Sequence, residues 1–403
     1  MNGHLGAVLS TASEVWAGAA LFFTLLLLAG VWRLRHQPPP PLPRKWPPIA
    51  LLRPCEGAEP GLRENLLSSL RAHYGGPRRV LFLVPDATDP AFAVIREVLA
   101  VAQAEGRDPA SVVLTGPRPR QNRKVAQLLA GLEHCEEAIV VTVDSDVALG
   151  DADLPALIAA LRPDDGPTIA AAFAAPVEFA PQTPWDRISA ALVGGSPQNF
   201  LALYGLYGLY GGVPSMAGAL CALRREALLR CGGFVGLLSY LGEDYELARR
   251  LTGLGLRIAL SREQARCTDG GRSLGEVIAR VARWLTVVRA QRPLLLFTYP
   301  VFMAATPALL LTALFTRSRN LGMLATALLG LRALLCWALR RTQGLGRSPL
   351  AAVTEVLTAE LLLWLGLGRA VVTRRIRWRG HRFRIGRGGT MMPDEPAGNQ
   401  ALS

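Results

Sequence analysis

Two aspartates separated by one residue, Asp144-Ser145-Asp146, close the apolar run AIVVTV. In extended chain, residues i and i+2 point the same way, so both carboxylates can meet one ligand. Hard divalent ions take oxygen ligands, and Mg²⁺ or Mn²⁺ can bridge one or two such carboxylates to a substrate diphosphate. The bland alternative has Asp144 capping the following turn and Asp146 solvated. A second apolar run, VLFLV, ends in Pro85-Asp86, with Asp89 directly ahead of Pro90. Aspartate before a proline-initiated helix suits an N-cap, which accounts for Asp89. Asp86 is better placed for a ligand at the sheet edge.

A third acidic group stands in Gly242-Glu243-Asp244-Tyr245-Glu246, ahead of the helical run ELARRLTGLGLRIAL. Acidic residues there favour a helix N-terminus by charge alone. The functional reading makes Asp244 a general base with a pKa lifted by partial burial. Residues 274–292 alternate arginine with apolar residues at helical spacing and include Arg280-Val281-Ala282-Arg283-Trp284. An amphipathic interfacial helix explains that pattern without catalysis; the alternative sets Arg283 on a diphosphate and Trp284 against an acceptor. Asn122 and Lys124 complete the set, Lys124 being one of two lysines among 44 basic residues.

Such groups need a scaffold, and from residue 48 short apolar runs alternate with helical stretches. Strands are expected at 49–52, 80–84, 112–114 and 138–143, and helices at 59–73, 90–105 and 122–133. That alternation predicts a mostly parallel sheet with helices on both faces, which binds ligands beyond the carboxyl ends of its strands.

The rest of the chain is apolar. Half of the 403 residues are hydrophobic and 19% are charged, which excludes a disordered chain. Residues 15–32 carry no charge and are long enough to span a bilayer. Positive charge follows this run at Arg33, Arg35, Arg44 and Lys45 and is absent before it, so the segment is an anchor with its N-terminus outside. The proline-rich stretch 36–48 is a stiff, extended spacer. Three further apolar stretches, 293–315, 321–339 and 349–372, precede a basic tail at 374–387. Three crossings would leave that tail outside, against the positive-inside rule, so one stretch is expected not to span. Pro300 and Pro307 interrupt the first, and Glu355 and Glu360 burden the third. The tail is suited to anionic lipid head groups or to a solvated positive-inside signal. Six cysteines show no metal spacing and no paired framework, which fits a reducing compartment.

Taken in order, RPCEGAEPGLRENL, VLFLVPDATDPAF, NRKVAQLL, VTVDSDVAL, GEDYELARRLTGLGLRIALS, RVARW and IRWRGHRFRIGRGG resemble ceramide glucosyltransferase and the related bacterial lipid glycosyltransferases, including the hopanoid-associated ones. The likeness is collinear over residues 51–389. Asp86, Asp144, Asp244 and Arg280–Trp284 occupy the places of that family's three aspartates and its Q/R-x-x-R-W. Two departures stand out. The segment GGSPQNFLALYG has no counterpart of the histidine found in the animal enzymes, and D-S-D replaces their D-S-G, which favours a metal and weakens ceramide as acceptor.

The resemblance implies a GT-A α/β domain over 48–273, set between an anchor (1–33) with its linker (34–47) and an interface helix (274–292), a membrane region (293–373) and a basic cytosolic tail (374–403). It implies inverting transfer of a sugar, glucose first, from a UDP-sugar to a lipid hydroxyl by an integral protein of the bacterial inner membrane with its catalytic domain cytosolic. Asp244 would be the base. Asp86, Lys124, Asp144 and Arg283 would bind the donor, Arg280 and Trp284 the acceptor or diphosphate, and Asp144 and Asp146 a Mg²⁺ or Mn²⁺ cofactor. The partners are then a UDP-sugar, ceramide or a related hydroxylated lipid, and the membrane, with no nucleic acid. A hopanoid glucosaminyl-type transferase, a processive polysaccharide synthase and a non-catalytic GT-A binding module are the rivals.

Overall fold

The structure is a computed structural model that describes residues 2–106, 110–116, 121–166, 168–207, 215–268, 270–345, 348–378 and 381–394. The chain divides into two compact units. One comprises Met1–Gln37, Ala180–Gly208 and Gly270–Thr373, and the other Pro38–Phe179, Leu209–Asp269 and Arg374–Ser403.

The first unit is helical: α1 (Asn2–His36), α6 (Pro184–Gly195), α7 (Phe200–Tyr207), α10 (Leu274–Gln291), α11 (Pro293–Leu296), α12 (Ala305–Thr316), α13 (Arg319–Thr342) and α14 (Pro349–Val372). Three helical segments, Val8–His36, Arg319–Thr342 and Pro349–Val372, are long and apolar enough to cross a membrane; Pro293–Met303 with Ala305–Thr316 forms a pair bent by 58°. α1 and α13 run in the same direction. Ala17 and Ala20 pack with Leu321, Ala325 and Leu328, and farther along Leu27 and Val31 pack with Leu335 and Leu339. α7 crosses α1 where Gly205 meets Gly30; a Cβ on Gly205 would lie 2.4 Å from the Gly30 carbonyl oxygen.

The bend follows the π-helical turn Tyr299–Met303, which contains Pro300. A broken helix inside an apolar bundle must find partners for its freed carbonyls. Here Arg332 reaches Phe302 O and Met303 O, and Trp364 Nε1 donates to Ala304 O at 2.8 Å. Arg332 also ion-pairs with Glu360, both almost fully buried. The Glu360 carboxylate accepts from the Thr306 N–H and hydroxyl, each at 2.9 Å. Glu355 lies 3.5 Å from Arg340. α10 starts from a capping box, Ser273 with Glu276, and packs its buried Val277, Val281 and Leu285 among α14 residues including Leu362 and Leu363.

The second unit is built on β1 (Ile49–Pro54), β2 (Arg78–Val84), β3 (Ala110–Leu114), β4 (Ile139–Val143), β5 (Val147–Ala148), β6 (Ile169–Glu178), β7 (Leu220–Arg224) and β8 (Arg257–Cys267), in the order β3-β2-β1-β4-β7-β6-β8-β5. β3, β2, β1 and β4 are mutually parallel, β6 and β8 are parallel, and β7 runs against both of its neighbours. β1 is buried along its whole length, as a central parallel strand covered on both faces must be. The helices α2 (Leu62–Arg71), α3 (Pro90–Ala104), α4 (Arg123–Glu133), α5 (Asp153–Leu161), α8 (Arg225–Arg230) and α9 (Glu243–Gly253) connect the strands. Asp89 is the N-cap of α3, its side chain accepting from the Ala91 N–H at 2.8 Å. The tail forms a small antiparallel sheet, β9 (Arg375–Trp378), β10 (His381–Ile385) and β11 (Met391–Pro393).

Candidate active site

Asp144 and Asp86 leave the same edge of the sheet. β1 lies between β2 and β4, its Leu52 level with both Leu81 and Thr142. The two strand axes are therefore about 10 Å apart, at roughly 4.8 Å per step.

The Asp144-Ser145-Asp146 segment turns tightly from β4 into β5, with the Val147 N–H donating to the Asp144 carbonyl at 3.1 Å. Its backbone is held from every side. Thr268 gives the Asp146 carbonyl both its N–H (2.7 Å) and its hydroxyl (3.0 Å). Asn65 donates to the Ser145 carbonyl at 3.1 Å and to the Thr268 hydroxyl at 2.8 Å. The Ser145 hydroxyl donates to Glu59 at 2.6 Å. Beneath the turn, the fully buried Arg53 donates to the carbonyls of Ser145 (3.3 Å) and Val147 and to Ser69. Burial lowers the Arg53 pKa to about 10 against the pull of nearby acids, among them Asp146, Asp144 and Glu59, which leaves it charged at neutral pH.

Beside that turn, α4 presents its first residues. Asn122 is fully buried and caps α4 by accepting from the Val125 N–H at 3.2 Å; its amide donates to the Tyr240 carbonyl (2.9 Å) and to Glu243 (3.1 Å). Lys124 reaches Asp144 at 2.6 Å, Glu243 at 3.1 Å and the Gly218 carbonyl at 3.1 Å. Burial works against its charge, but Asp144 and Glu243 prevail and raise its pKa above the usual lysine value. Asp244, in the first turn of α9, accepts from the Gly218 N–H at 3.0 Å and from the Tyr245 N–H at 2.7 Å. Burial first, and then Glu243, push its carboxyl up to about 6, with Lys124 pulling the other way.

Lys124 thus joins two strand ends and a helix start into one cluster. It contacts only two of the cluster's four carboxylates, Asp144 and Glu243, leaving Asp146 and Asp244. Asp146 is half-buried, and among the described residues its carboxylate has no hydrogen bond or ion pair, while its carbonyl is held by Thr268. Excess negative charge and an uncommitted carboxylate oxygen fit a divalent cation completed by phosphate oxygens. Among the described residues no group of three or more His, Cys, Asp or Glu could hold a metal by itself. One or two carboxylates with substrate phosphates is how Mg²⁺ is commonly bound. Asp144 and Asp146 would hold it.

Of the residues singled out in the sequence, Lys124, Asp144 and Asp244 come together around Gly218. Asp86 sits at the end of β2, where one of its oxygens closes a local turn on the N–H groups of Thr88 (2.8 Å) and Asp89 (3.1 Å) and on the Thr88 hydroxyl. The Thr88 hydroxyl and N–H hold its pKa below the usual carboxylate value. Arg280, Arg283 and Trp284 lie on α10, in the other unit, with the Arg280 guanidinium 4.9 Å from the centre of the Trp284 ring. Glu243, Gly218, Arg53, Asn65 and Glu59 were not anticipated as site residues. An arginine closing an otherwise apolar strand was the available signal for Arg53, and the double acid of GEDYE was the signal for Glu243. Gly218 had none.

The chain is similar to two curated relatives from Caenorhabditis elegans. It is 24% identical to ceramide glucosyltransferase 1 over 70% of this chain and 58% of that protein, and 22% identical to ceramide glucosyltransferase 3 over 86% and 74%. Among solved structures it resembles a mannosyltransferase, PcManGT from Pyrobaculum calidifontis in complex with GDP-Man and Mn²⁺. The TM-score is 0.51 at 18% identity, covering 90% of this chain and 99% of that one, and this likeness establishes the GT-A fold. From residue 14 to residue 391 the chain matches the family model for glycosyl transferase family 21, and it is a member of that family.

Proposed function

We propose that the protein transfers a sugar, glucose first among candidates, from a UDP-sugar to the hydroxyl of a membrane lipid, ceramide or a related hydroxylated lipid, with inversion at the anomeric carbon. The observation that supports this most is the cluster at the carboxyl ends of the strands, where one amine stands among four carboxylates beside a clamped D-S-D turn. The donor would lie over the strand ends, with Asp86 and Asp144 on its uridine and ribose side. Lys124 would meet donor oxygens while keeping Asp144 and Glu243 in position. A divalent cation, when bound by Asp144 and Asp146, supplies charge that offsets the negative charge developing on departing UDP.

Asp244 takes the proton from the lipid hydroxyl as that oxygen attacks. One base suffices, because single-displacement inversion forms no covalent intermediate. The roles of Arg283 at the diphosphate and of Arg280 and Trp284 at the acceptor rest on the family motif alone. Placement in the bacterial inner membrane with the sheet unit in the cytosol belongs to the same proposal.

The test is UDP release by the full chain in detergent, crossing UDP-glucose, UDP-galactose and UDP-N-acetylglucosamine with ceramide, diacylglycerol and a hydroxylated hopanoid, with and without Mg²⁺ or Mn²⁺. Lipid- and metal-dependent release with UDP-glucose and ceramide is expected. Release with the hopanoid and UDP-N-acetylglucosamine would replace both substrates. Many sugars per lipid would favour a polymerising enzyme, and donor binding without release with any acceptor would favour a binding module.

A further inference from the structure

The basic tail belongs to the sheet unit. Phe383, Ile385 and Met391 are buried, and Asp394 draws the strands together by pairing with Arg375 (3.0 Å) and Arg384 (3.7 Å). Two backbone hydrogen bonds leave this small sheet for the segment ahead of α9. The Met391 N–H donates to the Ser239 carbonyl at 2.7 Å, and the Leu241 N–H donates to the Gly389 carbonyl at 3.2 Å. Tyr240 and Thr390 form an antiparallel bridge between them. The turn that brings Thr390 into register takes Gly388 to φ +74° and Gly389 to φ +87°, which L side chains rarely adopt.

We infer that residues 387–391 are a positioning element of the catalytic cluster, holding Glu243 and Asp244 in place through residues 239–241. The need for such an element is local. α9 begins at Glu243 behind Gly242, which offers no side-chain cap, so within the helix its first turn is held only by the Asp244 carboxylate on the Tyr245 N–H and by the Glu246 N–H on the Gly242 carbonyl. The restraint comes from both flanks of the preceding segment. On one flank, Asn122 holds the Tyr240 carbonyl and the Glu243 carboxylate with a single amide. On the other, the tail takes up the Ser239 carbonyl and the Leu241 N–H. Freed of the tail, those two groups would turn to water, leaving residues 239–241 to Asn122 and the Leu237 carbonyl, with Lys124 on Glu243 and the Gly218 N–H on Asp244 beyond them. The positioning residues act through the backbone, so side-chain identity at Met391 matters less than its N–H.

Met391→Pro removes that N–H, whereas Met391→Leu keeps it. Both are compared with wild type in the full chain, by hydrogen exchange of the 238–246 segment and by transfer kinetics with the donor and acceptor that the UDP-release assay identifies. The expected result for Met391→Pro is exchange more than about tenfold faster in that segment alone, since local opening is set by local contacts. With it, kcat falls by more than about tenfold while the donor KM stays within about twofold, the pattern of a lost transition-state interaction. Met391→Leu should match wild type in both. Unchanged exchange, or faster exchange with unchanged kcat, overturns the inference. If Met391→Pro loosens the whole unit, Gly389→Ala, which strains only the turn, supplies the same two readouts. The kinetic arm rests on the proposed function and the exchange arm does not. A wild type without transferase activity would therefore refute that function while exchange still decides whether the tail restrains the loop.

Discussion

Asp244 accepts its hydrogen bond from the backbone N–H of Gly218, 3.0 Å away, and a Cβ at Gly218 would stand only 3.2 Å from both the Asp244 Cβ and Lys124 Nζ. Carboxylate and amine close so tightly on Gly218 that an added Cβ would have to push one of them back by a few tenths of an ångström. Gly218→Ala should therefore lower kcat by about tenfold, since a displacement of about 1 Å costs about a hundredfold and this one is smaller. Its melting temperature should fall far less than that of a core variant. Wild-type turnover in a folded Gly218→Ala protein would show that the cluster's geometry is not what limits transfer.

Asp244 itself is tested by Asp244→Asn. Loss of a general base lowers the rate by about a thousandfold while UDP-sugar binding survives. Calorimetric titration of the donor, run beside the transfer assay, separates the two effects.

The raised pKa of Asp244 sets a pH dependence. A base works deprotonated, so kcat/KM should rise with pH through about 6 and level off only above about 7, to which burial lifts the Asp144 carboxyl. Burial is the main cause of the Asp244 shift and Glu243 the next, so Glu243→Gln should move the acid limb to lower pH. A limb that stays in place in Glu243→Gln would assign the titration to another group.

Arg53→Met tests the support beneath the D-S-D turn. It takes one donor from the Val147 carbonyl and one of two from the Ser145 carbonyl, which keeps Asn65, at about 1–3 kcal/mol where a buried group is left unpaired. The expected outcome is a lower denaturation midpoint together with a higher divalent-ion concentration for half-maximal rate. Arg53→Lys, with a single ammonium, should recover stability only in part. An unchanged metal requirement in Arg53→Met would mean that the turn keeps its shape without the guanidinium.

In the helical unit, Glu360→Leu strands the buried Arg332 charge and should cost about 3–5 kcal/mol, whereas pairing it with Arg332→Met should restore much of that loss. A double-mutant cycle on detergent-unfolding curves measures the difference, and additive losses would show that the two side chains do not act as a pair.

The first half of the sheet was legible because β1, β2 and β4 are rich in Leu, Val and Ile and each ends in a polar or proline break. β6 (IAAAFAAPVE) and β8 (RIALSREQARC) were not, since alanine favours helices and neither strand is rich in β-branched residues. Asp144 and Asp244 could be found as isolated acids at element ends. That Lys124 joins them could not, because it depends on Gly218, which reaches the cluster through the chain reversal before β7. The basic tail read as a charged surface segment because its alternation of Arg with Ile, Trp and Phe is equally a strand pattern with one face buried, and charge alone cannot tell the two apart.

The Tyr240–Thr390 bridge also counts passages through the bilayer. Strands cannot pair across lipid, so residues 240 and 390 share a side, and the chain between them must cross an even number of times. α1 and α13 are parallel, and the Ser318 hydroxyl donates to Glu14 at 3.1 Å, which sets the start of α13 beside the far end of α1. With α1 and α13 as spans, the bent α11–α12 pair must carry the chain over to Ser318, and α13 brings it back. On that count α14 is expected not to cross, although its 24 residues are long and apolar enough to do so, and reporters placed at Ser318 and Asp394 should read opposite faces of the membrane.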